Sequence, residues 1–567
     1  MPGRRTFGRR DVDYFVKIRE SVSNIFFDCD GGGMMFGSWI DEQGRNNGYD
    51  EDDVIDNPAY IVESILRDFL NVPNNQIKHT AFDAAGNSTN GNLDGWSFAG
   101  GIYEIINSRD ILDNILLQCK SQLYRDPAGR FDFIVRDTID YTRHGITGDN
   151  LVANHSFETA GAGPGDGSGD VFGSWTETNN NNTTRKILQS SAKASDNSNS
   201  CFFDANANDG TTDFTVSQTG ISLSANTPYR FKFDYWFDAR TQGTLQFYIY
   251  DNDNAVDLIV ATTLNGLTTE WKTITVDFTV GTATTDAQIF IGSYNETTGD
   301  LYVDNVRLYE VKQYYLFDKD SNIGSLEISE SSHDDLVNEV RINYWLDRGS
   351  GEFGKMAFIS SQKKLSGAYL TEALDTTEIT FDVTDHTVFS DDDFIMIDRE
   401  VMQINGAPAA GQIVVNDTAG NRDAERNSKN TTHLNGAPIY IITEDSDDGN
   451  GSTADTTREG EATEAIWKYN AQNTLEIDAD WIVEATTAVN LRNYYHDQNN
   501  EPHYIIEFDA FLDASELQLG SIIRFDDSVM DSYLKMGGES WSGVNLRVTK
   551  ISRSGFLNYH IVAEEMI

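Results

Sequence analysis

Carboxylates are the side chains through which this chain has the most scope for chemistry. Its 567 residues include 90 Asp and Glu against 42 Lys and Arg, which gives a formal net charge of −48 at pH 7. Two carboxylates at a suitable separation can hydrolyse a glycosidic bond. With so many acids such pairs arise by chance, and none stands in a distinctive sequence context. We therefore predict no catalytic residues and no enzymatic activity.

The other residue types used in catalysis are present without the spacing that catalysis needs. The nine histidines form no HExxH or HxH pair, which argues against a zinc hydrolase. The thiols of Cys29, Cys119 and Cys201 are far apart and form no CxxC motif. Gly31–Gly33 precedes two methionines and not a helix start, so it is not a phosphate-binding loop. Cys119 lies in an apolar helical pattern and is predicted to be a core thiol.

The excess of acids excludes some classes of partner. Tight binding to a nucleic-acid backbone needs clustered Lys and Arg, and an anionic membrane surface repels an acidic protein. No apolar run is long enough to span a bilayer, so no stable membrane insertion is expected. The N-terminus lacks the apolar segment of a secretion signal. An acidic, lysine-poor surface suits a salty medium, and an ordinary acidic extracellular surface explains it equally well.

The composition of the chain changes at about Gly148, and with it the type of secondary structure that could position a site. Residues 149–311 are rich in Asn, Thr, Gly and Ser, and alternating apolar segments recur there at short spacing. These segments predict strands at Phe231–Phe237, Leu245–Tyr250, Thr273–Phe278, Gln288–Ile291 and Tyr302–Tyr309. Many short strands without helical periodicity predict a β-sandwich.

Outside this region a few helices are predicted among further strands. Asn57 and Pro58 fit the cap and the first position of a helix, and apolar stripes predict two more helices over 110–123 and 482–495. Phe131–Val135 follows a turn and predicts a strand. Residues 444–457 are rich in Asp, Gly, Ser and Thr and predict a disordered acidic linker. The predicted fold class is therefore mainly β with a few helices (α+β).

Residues 149–311 resemble a carbohydrate-binding module of the galactose-binding-like jelly-roll type. The specific matches are the opening Asn154-His155-Ser156-Phe157-Glu158 and the closing Tyr302-Val303-Asp304-Asn305-Val306-Arg307-Leu308, with segments 173–176 and 228–236 between them. The resemblance implies glycan binding by aromatic side chains that stack on sugar rings.

The resemblance implies a set of sugar-contacting residues. The candidates are Trp175, Tyr235, Trp236 and Tyr248. Because neighbouring residues of a strand point to opposite faces, only one of Tyr235 and Trp236 can face a ligand. Trp236 and Tyr248 can equally belong to the core.

The resemblance also implies a structural calcium ion that joins the first strand of the module to the last. The candidate ligands are Glu158 and Asp304, together with a backbone carbonyl near Asn154. The alternative is that Asp304 only caps a turn.

The flanking regions resemble tailed-bacteriophage tail-tip, baseplate hub-like proteins. The resemblance lies in the order of motifs at 56–70, 94–102, 111–119, 129–131, 332–344, 477–482 and 517–523. Residues 356–443 also resemble a small β domain of phage structural proteins, although Gly420-Asn421-Arg422 replaces the "TRG" that usually precedes its histidine.

Together these resemblances imply a hub-like β-barrel scaffold interrupted by two β insertions. The scaffold comprises 1–148, 312–355 and 458–567, the jelly roll is 149–311, the small β domain is 356–443, and 444–457 is the acidic linker. The implied function is that of a structural virion protein at the distal end of a phage tail. The implied partners are two further copies in a homotrimer, the distal tail and tail-tube proteins, tip or fibre proteins, a host-surface glycan, and DNA that passes without specific binding. The alternative is a polysaccharide-degrading enzyme with an appended carbohydrate-binding module.

Overall fold

The protein is mainly β with a few helices, as the sequence predicts. The computed structural model describes residues 24–25, 34–35, 54–86, 91–99, 106–126, 128–181, 183, 185–205, 214–264, 268, 270–318, 320–321, 323–347, 349–418, 420–450, 454–511, 515–530, 540–541, 543–555 and 558–566. The predictions for Cys29 and Gly31–Gly33 lie outside these residues. Cys119 is a buried free thiol, as predicted.

The N-terminal part is built from helices joined by short strands. Its helices are α1 (Pro58–Ser64), α2 (His79–Gly86) and α3 (Ser108–Gln118), with a π-helical turn at Ile65–Phe69 and 3-10 turns at Asn74–Gln76 and Tyr141–Arg143. Its strands are β1 (Asn24–Ile25), β2 (Met34–Met35), β3 (Val54–Ile55), β4 (Ile106–Asn107), β5 (Ser121–Arg125) and β6 (Phe131–Val135). The predicted cap of α1 is confirmed, because the Asn57 side chain accepts the Ala59 N–H at 3.0 Å and Pro58 is the first helical residue.

Helix α3 is shorter than the sequence pattern predicts. Cys119 ends the helix, and Lys120 takes a positive φ of 47° that turns the chain into β5. Leu123 was predicted to continue the helical stripe and lies in β5 instead. Apolar residues continue at helical spacing through this turn, so periodicity alone cannot locate the end of the helix.

The strands of the inserted segment agree with the alternating pattern but are longer than predicted. They are β7 (Ile146–Thr147), β8 (Thr176–Thr178), β9 (Arg185–Ser190), β10 (Ser200–Ala205), β11 (Phe214–Leu223), β12 (Thr227–Asp251), β13 (Val256–Leu264), β14 (Lys272–Val280) and β15 (Thr284–Val311). β12 and β15 pair antiparallel along most of their length and join the other strands into one hydrogen-bonded set.

The remaining described elements form two six-stranded sheets, two two-stranded sheets and three helices. The strands are β16 (Tyr315–Phe317), β17 (Ile323–Glu330), β18 (Glu339–Asp347), β19 (Glu352–Tyr369), β20 (Thr380–Asp382), β21 (Phe394–Ile397), β22 (Glu400–Gln403), β23 (Gln412–Val414), β24 (Asp417–Thr418), β25 (Asn421–Arg422), β26 (Pro438–Asp447), β27 (Thr474–Asp478), β28 (Tyr504–Ala510), β29 (Ile522–Phe525), β30 (Leu546–Gly555) and β31 (Asn558–Glu565). The two-stranded sheets are β20 with β23 and β24 with β25. The helices are α4 (Thr456–Tyr469), α5 (Ala485–Asn499) and α6 (Asp527–Met530), and a 3-10 turn covers His333–Asp335.

One of the two six-stranded sheets crosses the predicted boundaries. One runs β16-β29-β30-β31-β28-β17 and the other runs β22-β21-β26-β19-β18-β27. The predicted boundary between residues 355 and 356 falls inside β19, and the one between 443 and 444 falls inside β26. The small β domain is therefore continuous with a scaffold sheet, because two long strands serve both.

Both ends of the predicted linker 444–457 belong to regular elements, which corrects the prediction for those ends. Its first four residues complete β26, and α4 begins at Thr456, where the Asp455 side chain accepts the Arg458 N–H. Asn470 ends the helix in the left-handed conformation. Acidic and small residues are common in linkers and also at helix caps and strand ends. The composition of this segment therefore did not distinguish between the two.

One hydrophobic core joins residues that are distant in the sequence. Ile61 of α1 and Ile115 of α3 share a buried cluster with Val340 of β18, Ile477 of β27 and Leu491 of α5. Helices α1 and α3 of the N-terminal part and helix α5 of the C-terminal part therefore pack around β18 in one core.

Candidate functional site

The inserted module is a sandwich of two layers, each with an outer face, and the long strands β12 and β15 both contribute to both layers. The first part of β12 pairs with β14, and its last part, from Leu245, pairs with β13. β15 likewise pairs with β11 near its start and with β10 near Val303. The two ends of one strand therefore present their outward side chains on opposite sides of the module.

Two of the four predicted sugar-contacting residues are buried, which corrects the prediction for them. Trp175 is 5% exposed and Tyr235 is 1% exposed, and both belong to the core of the sandwich. The Trp175 indole donates to the Asn154 carbonyl at 3.2 Å and packs on Phe157. A sugar ring cannot reach either side chain without opening the core.

Tyr248 lies on one outer face, here named the Tyr248 face, with Phe290 of the neighbouring strand β15. The two rings stack with centroids 4.4 Å apart and an angle of 17° between them. Both side chains are partly exposed, whereas Phe247 and Ile249 on either side of Tyr248 point into the core. The pair is an apolar ridge on an otherwise polar surface.

Two glutamines, a tyrosine and a glycine surround this ridge, and Asp257 of β13 lies beside Tyr250 at its margin. Gln246 lies opposite Gly292, and Tyr250 lies opposite Gln288 in the register of β12 and β15. The central outward positions of the face are Gln246, Tyr248, Tyr250, Gln288, Phe290 and Gly292. None of them is charged, although the chain as a whole is strongly acidic. This surface suits a neutral ligand with hydroxyl groups and an apolar side.

Gly292 is required by the close approach of β11. A Cβ at this position would lie 2.5 Å from Cγ2 of Thr215 and 2.6 Å from the Phe214 carbonyl. Thr215 and the Phe214 carbonyl therefore occupy the space that a side chain at Gly292 would need, and the strand keeps its close packing two residues from Phe290.

Trp236 lies on the opposite outer face, here named the Trp236 face, with Tyr302 and Phe202. The Phe202 and Tyr302 rings stack at 4.6 Å, and Trp236 meets Trp271 edge-on at 6.1 Å. The ammonium of Lys193 lies 3.7 Å from the centre of the Trp236 ring. Of the adjacent pair Tyr235 and Trp236, it is Trp236 that faces outward.

Three carboxylates border the Trp236 face. Asp204 and Asp300 are directly opposite each other on β10 and β15, and Asp238 interacts electrostatically with Asp300. Burial raises the pKa of Asp300, and the charges of Asp204 and Asp238 raise it further. Lys193, 3.2 Å from Asp238, and Lys186, opposite Asp204 on β9, are cations beside these carboxylates.

The predicted calcium ligands Glu158 and Asp304 bind the same loop, 195–199. Asp304 accepts the N–H groups of Ser195 and Asp196 at 2.7 and 2.9 Å. Glu158 accepts the N–H groups of Ser198 and Asn199 at 2.9 and 2.7 Å. The carboxylates thus fasten the loop to the first and last segments of the module.

These contacts do not fit a calcium site. Calcium takes six to eight oxygen ligands, typically several carboxylates and carbonyls around one point. The oxygens of Glu158 and Asp304 point instead at N–H donors, and the Asn199 side chain also donates to Glu158 at 2.7 Å. Burial raises the pKa of Asp304 to about 6, despite its hydrogen bonds. The geometry therefore matches the alternative, in which Asp304 caps a turn.

One group of metal-type side chains occurs elsewhere among the described residues. Glu461, His496 and Asp497 place ligand atoms within 4.8 Å of one another. Both oxygens of Asp497 accept hydrogen bonds from Arg458 at 2.7 Å. Since a guanidinium already neutralises this carboxylate, the group is an ion-pair network between α4 and α5.

In the part of the chain that is described, no helix has the length and apolar character needed to cross a membrane.

The fold and its faces define a class: a β-sandwich module with aromatic surfaces, inserted into a mixed scaffold. Residues 149–297 match the family described as carbohydrate binding domain. The match covers most of the sandwich and about a quarter of the chain, and it supports a glycan-binding role for the module. No curated protein is similar enough in sequence to match the chain.

Solved structures with some likeness to the chain include two carbohydrate-binding domains and a phage tailspike. The CBM22-1 xylan-binding domain of Paenibacillus barcinonensis Xyn10C is 14% identical, with 30% of this chain and 98% of that chain covered and a TM-score of 0.21. TmCBM61, solved with β-1,4-galactotriose, is 18% identical, with 29% and 99% covered and a TM-score of 0.22. The enzymatically active domain of bacteriophage CBA120 tailspike protein 4 is 12% identical, with 28% and 21% covered and a TM-score of 0.22. This chain thus spans about a fifth of the tailspike domain.

Proposed function

We propose that this chain is a structural protein of a phage tail tip whose inserted module binds a host-surface glycan. The observation that carries the glycan role is the Tyr248 face, an uncharged aromatic ridge in a segment that matches the carbohydrate binding domain family. The hub role is supported by the order of tail-tip motifs in the flanking sequence. It places the protein at the distal end of the tail in the virion.

The glycan proposal makes Tyr248 and Phe290 the stacking residues. Each ring of the stacked pair has one side turned to the other ring, so the opposite sides and upper edges contact the sugar. Gln246 and Gln288 supply amide donors and acceptors for ring hydroxyls. A neutral polysaccharide is the ligand class that this composition favours.

Binding of the full chain to a panel of neutral polysaccharides, measured by isothermal titration calorimetry, tests the proposal. The Tyr248→Ala/Phe290→Ala variant should bind at least tenfold more weakly, since aromatic contacts contribute on the order of 1 kcal/mol each. Tyr369→Ala is the matched control, because this tyrosine is 40% exposed and lies outside the module. Unchanged affinity in the double variant would contradict the assignment of this face.

The hub proposal implies the protein partners. They are two further copies in a homotrimer, the distal tail and tail-tube proteins above, and tip or fibre proteins below. Tail DNA passes the protein without specific binding, because an acidic surface repels phosphates.

We also propose that the chain is not an enzyme. A reducing-sugar assay on host envelope polysaccharide separates this proposal from the alternative of a polysaccharide-degrading protein. The proposal expects no release of reducing ends by the purified chain, and steady release that scales with protein concentration would overturn it.

A further inference from the structure

The Trp236 face carries a second set of aromatic side chains that the proposed Tyr248 site does not use. We propose that it is a separate saccharide subsite, and that it takes a sugar with a free amino group, such as a hexosamine that is not acetylated. The two faces lie on opposite layers of the sandwich, so this subsite does not depend on the Tyr248 face.

The aromatic part of the subsite is made by three strands. Tyr302 of β15 lies between Trp236 of β12 and Phe202 of β10 in the register of the sheet. Trp236 and Phe202 are partly exposed, and the Phe202 and Tyr302 rings are stacked. This is the arrangement that binds the apolar side of a sugar ring and, through the ring faces, a cation.

The carboxylates of the subsite repel one another. Asp204 and Asp300 are cross-strand neighbours of like charge, a pairing that destabilises a sheet. Asp238 adds a third negative charge, and the raised pKa of Asp300 reflects this repulsion together with burial. A ligand with an ammonium group would relieve the repulsion, whereas a neutral sugar would not.

Lys193 shows that this place accepts an ammonium. Its Nζ lies 3.7 Å from the centre of the Trp236 ring, 5.8 Å from that of Tyr302 and 3.2 Å from Oδ1 of Asp238. One ammonium thus contacts both the aromatic and the acidic part of the subsite. Because a lysine side chain has several rotatable bonds, it can move aside for a ligand that brings its own ammonium and more apolar contact.

A saccharide is favoured over a basic peptide as the occupant. Most of the subsite lies inside the segment 149–297 that matches the carbohydrate binding domain family, and Asp300 and Tyr302 follow shortly after it. Its aromatic residues and carboxylates are neighbours on the same outward side of the sheet, since Phe202 and Tyr302 lie opposite each other two residues from the pair Asp204 and Asp300. Asp204, Asp238 and Asp300 face Lys193 and also Lys186, which lies opposite Asp204 on β9, so the described charges leave one net negative charge that a cationic sugar complements.

The test uses the full chain with Tyr248→Ala/Phe290→Ala, so that only the Trp236 face is available. Calorimetry compares a β-1,4-linked glucosamine tetramer with its fully N-acetylated counterpart, which differs in lacking the ammonium groups. The glucosamine tetramer should bind about tenfold more tightly than the acetylated one, the factor expected from one partly desolvated cation–π contact. Equal affinities, or no binding of either tetramer, would overturn the proposal.

Single substitutions in the same background identify the contacts. Trp236→Ala and Asp300→Asn should each weaken binding of the glucosamine tetramer, and Lys193→Ala should strengthen it because the competing ammonium is gone. If Trp236→Ala does not fold, the affinities of Asp300→Asn and Lys193→Ala for the glucosamine tetramer test the proposal. Tetralysine that binds as tightly as the glucosamine tetramer would contradict a saccharide subsite and indicate a basic peptide.

Discussion

At the scale of single residues, Arg422 holds the small β domain together from within. Its guanidinium donates to both oxygens of Glu400 at 2.6 and 3.0 Å, and it also donates to the Thr431 carbonyl at 2.6 Å. His433 lies between Glu400 and Asp398, 2.8 Å from each carboxylate, and these hydrogen bonds raise its pKa although burial opposes them. Arg422 thus gives the altered loop Gly420-Asn421-Arg422 a defined structural role.

Removing the Arg422 charge should destabilise the small β domain strongly. In Arg422→Met the buried Glu400 keeps only His433 as a cationic partner, so we expect a loss of about 3 kcal/mol in the free energy of unfolding. Urea denaturation of the full chain measures it. Arg399→Met is the matched control, since Arg399 is exposed, and it should change the free energy by less than about 0.5 kcal/mol. Equal effects of the two substitutions would refute the role of the ion pair.

A second prediction at this scale concerns the carboxylates that bind loop 195–199. Since N–H groups satisfy Glu158 and Asp304, adding calcium or a chelator should leave the thermal unfolding of the full chain unchanged. Asp304→Ala should lower the unfolding temperature, because the N–H groups of Ser195 and Asp196 lose their acceptor. A rise in unfolding temperature with added calcium that disappears in Asp304→Ala would restore the calcium site.

At the scale of elements, the junction between the module and the scaffold centres on His144. Its Nδ1 lies 2.6 Å from the Lys312 carbonyl, and its Nε2 accepts the Ile522 N–H at 3.0 Å. Arg230 of β12 donates to the Tyr141 and His144 carbonyls. One neutral imidazole thus links both ends of the insertion to the C-terminal sheet.

This junction should be sensitive to acid. Burial lowers the pKa of His144 below its ordinary value, and a proton on Nε2 would face the Ile522 N–H. With a folded-state pKa below the unfolded one, its stabilisation is present above pH 6.5 and is lost as the pH falls through the folded-state value. His144→Gln keeps a donor and an acceptor without titrating, so the unfolding temperature of this variant should fall less than that of the wild type between pH 7.5 and pH 5. Parallel pH profiles would contradict the role of His144.

The elements also show how far the sequence predicts the structure. Alternation located the strands around Phe231–Phe237 and Leu245–Tyr250 because each buries one face. It could not show that both belong to one long strand, or that this strand serves two layers, since both depend on pairing with distant segments. For the same reason the sequence did not place Trp236 and Tyr248 on opposite faces.

The sequence predicted some of the candidate sugar-contacting residues correctly and missed others, and packing explains the difference. Strand alternation required that only one of Tyr235 and Trp236 face outward, but the burial of Trp175 depends on its packing against Phe157, which in turn packs on Phe172. Phe290 was missed although it lies in a predicted strand. The sequence shows only an aromatic residue on the outward side of that strand. Its importance becomes clear when the register pairs Phe290 with Tyr248.

At the scale of the whole molecule, the chain leaves the scaffold for the module and returns to it at the same place. Ile146–Thr147 pairs with Glu310–Val311, and the Lys312 N–H donates to the Gly145 carbonyl at 2.8 Å. Ends that lie this close allow a domain to be inserted or removed with little effect on the scaffold. The separate cores of the module and of the scaffold agree with this view.

Assembly is the property of the whole molecule that the hub proposal predicts. Light scattering coupled to size exclusion should give three times the mass of the chain, and the same multiple after replacement of the module. A monomeric wild-type chain at micromolar concentration would contradict the homotrimer.

The central claim is that glycan binding belongs to the inserted module and not to the scaffold. The most direct measurement compares the wild type with a chain in which a short Gly-Ser turn replaces residues 149–309, which preserves the pairing of Thr147 with Glu310. Binding of each to immobilised host envelope polysaccharide is measured by surface plasmon resonance. We expect saturable binding by the wild type and none by the replaced chain, whereas equal binding by the two would show that the scaffold binds the glycan.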